Sequence, residues 1–166
     1  MKQDYAFGSR NTWRAGMALP GGKWIGKPQV ATNTWLIAGR QAAADMLHAT
    51  VGSSAYRPYN VLGIGTNSTA PDHNQTTLLS EASDGSDPPN LLRVVASTSE
   101  RIDNLVTIVG EFPAEDYAGL QIIEAALFND LNGGDALYRV TYGAPIHIVL
   151  GQGYVLRVEL QILLGA

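Results

Sequence analysis

The last strand-like segment, Gly153–Leu164, constrains the fold more than any other part of the chain. Tyr154, Leu156, Val158, Leu160, Ile162 and Leu164 fall on one parity, and Val155, Arg157, Glu159, Gln161 and Leu163 on the other. Side chains on a strand alternate between faces, so the run reads as a long β-strand with one dry face. Upstream, Asn132-Gly133-Gly134-Asp135 separates two apolar runs, and its glycines supply the positive φ angles that a tight hairpin requires. The whole block from Leu120 to Leu164 reads as framework, with no group set up for chemistry.

Further strands are expected at Asn60–Gly65, Leu91–Ser97, Leu105–Phe112, Leu120–Phe128, Ala136–Tyr142 and Ile146–Leu150. Turns recur at short intervals, which favours an antiparallel β-sandwich, jelly-roll-like, or a small barrel over βαβ units. With 166 residues, 45% of them hydrophobic, the chain can bury the core of one domain. One helix is expected from Thr34 to about His48. Asn33 or Thr34 can cap it, Ala42, Ala43 and Ala44 favour it, and Gly52-Ser53-Ser54 ends it. Thr66–Gln75 and Glu81–Asn90 read as polar loops.

Charge is unevenly spread. Residues 1–30 carry Lys2, Arg10, Arg14, Lys23 and Lys27 against Asp4 alone, a net +4, while the remainder carries −8. The same stretch is punctuated by Gly8, Gly16, Pro20, Gly21, Gly22, Gly26 and Pro28, too often for a helix. Residues 1–32 are therefore expected to form an extended basic arm on a single acidic β-rich domain, residues 33–166. Trp13 and Trp24 are costly to leave in a free tail, so the arm packs on its own domain or on a neighbour. In the second case Arg10, Trp13, Arg14, Lys23, Trp24 and Lys27 are the contact residues. Five cations spread over 27 residues make no dense patch for nucleic acid.

The residues that carry chemistry elsewhere are scattered here. There is no cysteine, which excludes disulfides and thiolate metal sites. His48, His73 and His147 form no ligand pair, and His147 is expected to face outward from a strand. Asp84-Gly85-Ser86-Asp87 lacks the length and terminal glutamate of a calcium loop and reads as a turn. Gly63-Ile64-Gly65 lacks the third glycine and following helix of a dinucleotide site. Ser53, Ser54 and Ser80 have no nucleophile-elbow context. Nothing in the spacing selects a pair among Glu111, Glu115, Asp116 and Glu124. No catalytic residue, cofactor or metal is therefore assigned. No apolar run approaches the roughly 20 residues of a membrane span, and Met1–Tyr5 lacks the apolar core of a signal peptide.

Two segments carry a resemblance. The first is Gly63-Ile64-Gly65-Thr66-Asn67-Ser68-Thr69-Ala70-Pro71, followed by Thr76-Thr77-Leu78 and Glu81. The second is Glu124-Ala125-Ala126-Leu127-Phe128-Asn129, followed by Gly133-Gly134-Asp135-Ala136-Leu137-Tyr138-Arg139-Val140. Together, over about residues 60–165, they resemble structural proteins of tailed bacteriophage virions. An Asp before Thr76 is absent, and Ala126 and Ala136 stand where Gly and Met are common in that pattern.

The resemblance implies a β-rich, non-enzymatic subunit of a symmetric shell or tail, made in the host cytoplasm and carried in the virion. The expected role is a capsid decoration (cement) protein, a homo-oligomer and by lattice symmetry a trimer, bound to the major capsid protein on the outer surface. A tail, neck or baseplate subunit is the alternative. A carbohydrate-binding β-sandwich, with Tyr5, Tyr56, Tyr59, Tyr117, Tyr138 and Tyr142 as stacking rings, is the third.

Overall fold

The structure is a computed structural model that describes residues 10–32, 34–36, 58–83, 91–151 and 153–163. Ten strands run in chain order: β1 (Arg10–Ala18), β2 (Gln29–Thr32), β3 (Thr34–Trp35), β4 (Val61–Gly65), β5 (Val94–Val95), β6 (Thr98–Ile102), β7 (Leu105–Pro113), β8 (Gln121–Phe128), β9 (Ala136–His147) and β10 (Val155–Leu163). They form two antiparallel five-stranded sheets, ordered β2-β1-β10-β7-β6 and β3-β9-β8-β4-β5. The expected antiparallel β-sandwich is the fold.

The inner faces follow from parity. In the first sheet Trp13, Ala15 and Met17 of β1 stand opposite Leu160, Val158 and Leu156 of β10. Those in turn stand opposite Ile108, Gly110 and Phe112 of β7. In the second sheet Leu62 and Ile64 of β4 face the interior with Ala125 and Leu127 of β8 and with Val140 and Tyr138 of β9. Trp13, Phe112, Leu62, Leu127, Leu156 and Leu160 are fully buried between the layers.

The chain itself joins the two sheets at both edges. β2 and β3 lie one residue apart, yet β2 pairs with β1 in the first sheet and β3 with β9 in the second. On the opposite edge β5 pairs with β4 and β6 with β7, with only Ala96 and Ser97 between them. Strands that switch sheets make corners of this kind.

Several expectations change. The detached basic arm is not what residues 10–32 form. β1 is an interior strand of the first sheet, in register with β10 along its whole length from Arg10↔Leu163 to Ala18↔Val155. The reason lies in its own alternation: Trp13, Ala15 and Met17 supply a dry face that Gly16 among them obscured. Residues 1–9 lie outside the described residues.

The expected helix also fails at its start. Thr34–Trp35 pairs with Arg139 and Tyr138 as a strand, and Leu36 is buried. Residues 37–48 lie outside the described residues. The two strands expected at Ala136–Tyr142 and Ile146–Leu150 are largely one, β9, which absorbs Gly143-Ala144-Pro145 in a register shift against β8. The β8–β9 connection is a seven-residue loop rather than a tight turn, with Gly133 and Gly134 at φ 90° and 70°.

Candidate functional site

The outer face of the second sheet is not open to water. Its parity places Gly63 and Gly65 of β4, Glu124, Ala126 and Phe128 of β8, and Arg139 of β9 on that side. The segment from Thr66 to Ser83 folds down over them. Its Leu78 joins Leu36, Val61, Ala126, Phe128 and Ala136 in a second small apolar cluster outside the main core. The two glycines permit this. A Cβ on Gly63 would stand 2.8 Å from the Phe128 ring and 3.2 Å from Leu78, and one on Gly65 would meet the Ser80 carbonyl and stand 2.6 Å from Glu124 Oε1. With no Cβ there, the backbone of Gly65 bridges to Glu81, and Ala82 N–H donates to the Ile64 carbonyl.

Within that cover sits an ion pair with no solvent exposure on either side chain. Arg139 Nε and Nη2 each stand 2.7 Å from Glu124 Oε2. The remaining capacity of the pair is spent on the loop. Glu124 Oε1 accepts the backbone N–H of Ser80 at 2.8 Å and of Asn67 at 3.3 Å, and Oε2 accepts that of Leu79 at 3.2 Å. Arg139 Nη1 donates to Gln75 Oε1 at 2.9 Å and Nη2 to the Thr69 carbonyl at 3.0 Å. Charges taken out of water are tolerated only when geometry and further hydrogen bonds compensate them, and this pair meets that condition by clamping both ends of one loop.

A second clamp lies beside it. Arg93 forms a two-pronged contact with Glu81, at 2.5 and 2.9 Å. Its Nη1 donates to the carbonyls of Asp130, at 2.8 Å, and Gly133. Its guanidinium lies 3.5 Å from the centroid of the Phe128 ring. Arg93 therefore ties the end of the loop to the β8–β9 connection, and Ala136 N–H, donating to the Thr76 carbonyl, adds a direct link.

Between the clamped ends the loop presents Ser68, Thr69, Ala70, Asp72, His73 and Asn74 to solvent, with Pro71 half-buried. Local bonds shape the tip. Asn67 Oδ1 accepts Thr69 N–H, Asp72 Oδ1 accepts Asn74 N–H, and Gln75 Oε1 accepts Asp72 N–H. The Asn74 N–H holds the Asp72 carboxyl below its ordinary range. The arrangement offers a rigid polar ridge rather than a cleft. Among the described residues no group of three or more His, Cys, Asp or Glu could hold a metal ion.

The structure therefore brings together the two segments that carried the resemblance. Gly63, Gly65 and Glu81 from the first meet Glu124, Phe128 and Arg139 from the second across one interface. Gln75 and Arg93 complete it and were not singled out from the sequence. Arg93 is a lone charge inside the apolar run Leu91–Val95, which was the available signal.

The expected partner-binding residues are placed differently. Trp13 is buried in the core and cannot touch a partner. Arg14 pairs with Glu159 at 3.7 Å on the outer face of the first sheet. Trp24 is half-buried below Arg157, whose guanidinium is 5.7 Å from its ring, while Lys23 and Lys27 are exposed. Arg10 lies at the start of β1, opposite Leu163. His147 is exposed on its strand, as expected. Tyr117, Tyr138 and Tyr142 are buried and offer no stacking ring to a ligand. The Tyr117 hydroxyl donates to the Leu92 carbonyl at 2.8 Å. Burial pushes both the Tyr117 and the Tyr142 phenols up. Tyr5, Tyr56, Ser53, Ser54, His48 and Asp84–Asp87 lie outside the described residues.

Neither protein-family models, curated proteins nor solved structures yield a match to this chain.

Proposed function

We propose that this chain is a non-enzymatic structural subunit of a tailed-phage virion, and specifically a decoration (cement) protein that binds the major capsid protein on the outer shell. The observation that carries the reading is the convergence of Gly63–Glu81 and Glu124–Val140 on one buried clamp. Two short segments that resemble phage virion proteins at separate places in the sequence make a single structural unit here. Its product is a fixed, exposed loop, which suits repeated contact with a lattice at little ordering cost.

The partner contacts in this reading come from folded elements. They are the loop Ser68–Asn74 and the exposed cations Lys23 and Lys27 between β1 and β2, rather than a free arm. The same feature favours the second reading, a tail, neck or baseplate subunit, because subunits stacked in rings meet through loops and need no long arm.

Imaging of purified particles at a resolution that locates the subunit, together with a count of copies per particle, tests both. Hundreds of copies on the capsid surface are the expected result. A handful confined to the tail replaces the first reading with the second. Absence from washed particles removes both.

A further inference from the structure

The segment Asn132-Gly133-Gly134-Asp135 has a chemistry that neither the sheets nor the clamped loop uses. It is the one place in the chain where asparagine directly precedes glycine. The loop around it is braced on both sides. Arg93 Nη1 donates to the Asp130 and Gly133 carbonyls. Asp130 Oδ1 accepts the Asn132 N–H at 3.1 Å, and Asn129 Oδ1 accepts the Asp135 N–H at 3.1 Å. The link between Asn132 and Gly133 is left open. Both residues are exposed, and apart from chain neighbours no heavy atom lies within 4 Å of where a Cβ on Gly133 would stand. Among the described residues, neither the Asn132 side-chain amide nor the Gly133 N–H has a hydrogen-bond partner. An asparagine side chain can be attacked by the main-chain nitrogen that follows it, and a side chain on that next residue is what ordinarily hinders the approach. Glycine has none.

We propose that Asn132-Gly133 is a self-modification site: Asn132 deamidates through a cyclic imide, and the isoaspartyl product slackens the Arg93 clamp. The Gly133 nitrogen bonds to Cγ of Asn132, and the Cγ–Nδ2 bond breaks. Nδ2 leaves as ammonia, which carries away the equivalent of the Gly133 amide proton. One water molecule then opens the imide. Cleavage between the Gly133 nitrogen and Cγ leaves aspartate, and cleavage between that nitrogen and the Asn132 carbonyl carbon leaves isoaspartate. Water is the only co-reactant, and nothing is oxidised or reduced.

Isoaspartate routes the main chain through Cβ and Cγ and so inserts one extra carbon just before Gly133. The Gly133 carbonyl is an acceptor for Arg93, whose side chain is 2% exposed and which also grips Glu81. A lengthened chain shifts that acceptor away from a guanidinium that water cannot reach to replace it. The tie between the covering loop and the β8–β9 connection weakens as a result. The reaction needs no partner and is independent of the virion reading.

The test is incubation of the purified full chain at mildly alkaline pH, with timed samples analysed by peptide mass spectrometry. Asn132 is expected to show the mass gain of an NH-to-O exchange ahead of every other asparagine, and its peptide to accept a methyl group from an isoaspartate methyltransferase. Asn132→Gln should show no such gain at that position. The product carries one more carboxylate than the starting chain, so ion exchange separates it for amide exchange measurements. Ala136, whose N–H donates to the Thr76 carbonyl across the same tie, is expected to exchange about tenfold faster or more in the isoaspartyl chain, the equivalent of one lost hydrogen bond to a charged group. Freshly prepared Asn132→Asp, with the added charge but the normal main chain, should keep the wild-type rate. Conversion of another asparagine before Asn132 overturns the proposal. So does an isoaspartyl chain with unchanged Ala136 exchange, or an Asn132→Asp chain that loosens as much.

Discussion

The two outward faces of the sandwich carry the same kind of pair, arginine against glutamate on neighbouring strands, in opposite surroundings. On the first sheet Arg14–Glu159 and Arg157–Glu111, at 3.7 and 2.9 Å, each keep a side in contact with water, Arg14 most of all at 44% exposure. On the second sheet Glu124–Arg139 is sealed beneath a loop. Exposed pairs gain little, because water screens them and long side chains lose freedom. A sealed pair is instead an all-or-nothing device. It costs desolvation, and it holds only while every remaining donor and acceptor is satisfied. The partners that satisfy it are Asn67, Thr69, Gln75, Leu79 and Ser80, so the pair and the loop stabilise one another. Identical chemistry decorates one face and builds the other.

The largest expected effect is on the sealed pair. Arg139→Met leaves the Glu124 carboxylate buried without its countercharge, and a loss of about 3–5 kcal/mol is expected in chemical denaturation. Replacing Glu124 by Gln at the same time should recover much of that loss, so a double-mutant cycle isolates the coupling. If Arg139→Met costs no more than a surface substitution, the contrast between the faces disappears.

Gly65→Ala comes next. Its methyl group would meet the Ser80 carbonyl and Glu124, neither of which can move without opening the cover. About 1–3 kcal/mol of destabilisation is expected, by the same assay.

Alkaline titration probes the interior between the faces. Tyr117 and Tyr142 have folded-state values raised above the ordinary 10.0 by burial, so the unfolded chain releases these phenolic protons first. Their contribution to stability is complete below pH 10 and is lost as pH rises above it. Melting temperatures measured across that range should fall, and Tyr142→Phe should flatten the fall.

Arg14→Ala is the smallest. The Arg14 side chain is 44% exposed, and a change of at most about 1 kcal/mol is expected, shrinking further in high salt.

Much of the framework was legible because burial on one side writes a period of two into a strand. β10 announces itself that way, whereas β4 and β8, buried on both faces, are legible as short apolar runs between turns. β6 does not: Thr98-Ser99-Glu100-Arg101-Ile102 is an edge strand with mostly exposed side chains, so its pairing leaves no apolar trace. β1 was misread because Gly16 seemed to interrupt it. Gly16 instead lies under Pro28 and the Trp24 ring, where the β1–β2 connection folds back over the sheet.

The site was legible as parts and not as a whole. Glu81, Glu124 and Arg139 stood in the two resembling segments, yet polar residues on the outward parity of a strand read as solvated. Their burial depends on Leu78 and the loop around it covering the sheet. That contact spans 44 residues between Ser80 and Glu124 and has no local signature.

Amide hydrogen exchange of Asn67, Leu79 and Ser80 tests the central claim most directly. Their N–H groups point at Glu124, so they should exchange as slowly as the β4 and β8 ladders, and Arg139→Met should release them while β1 and β10 stay protected. Fast exchange of these three amides in the wild-type chain, at the rate of an unstructured loop, would contradict the account.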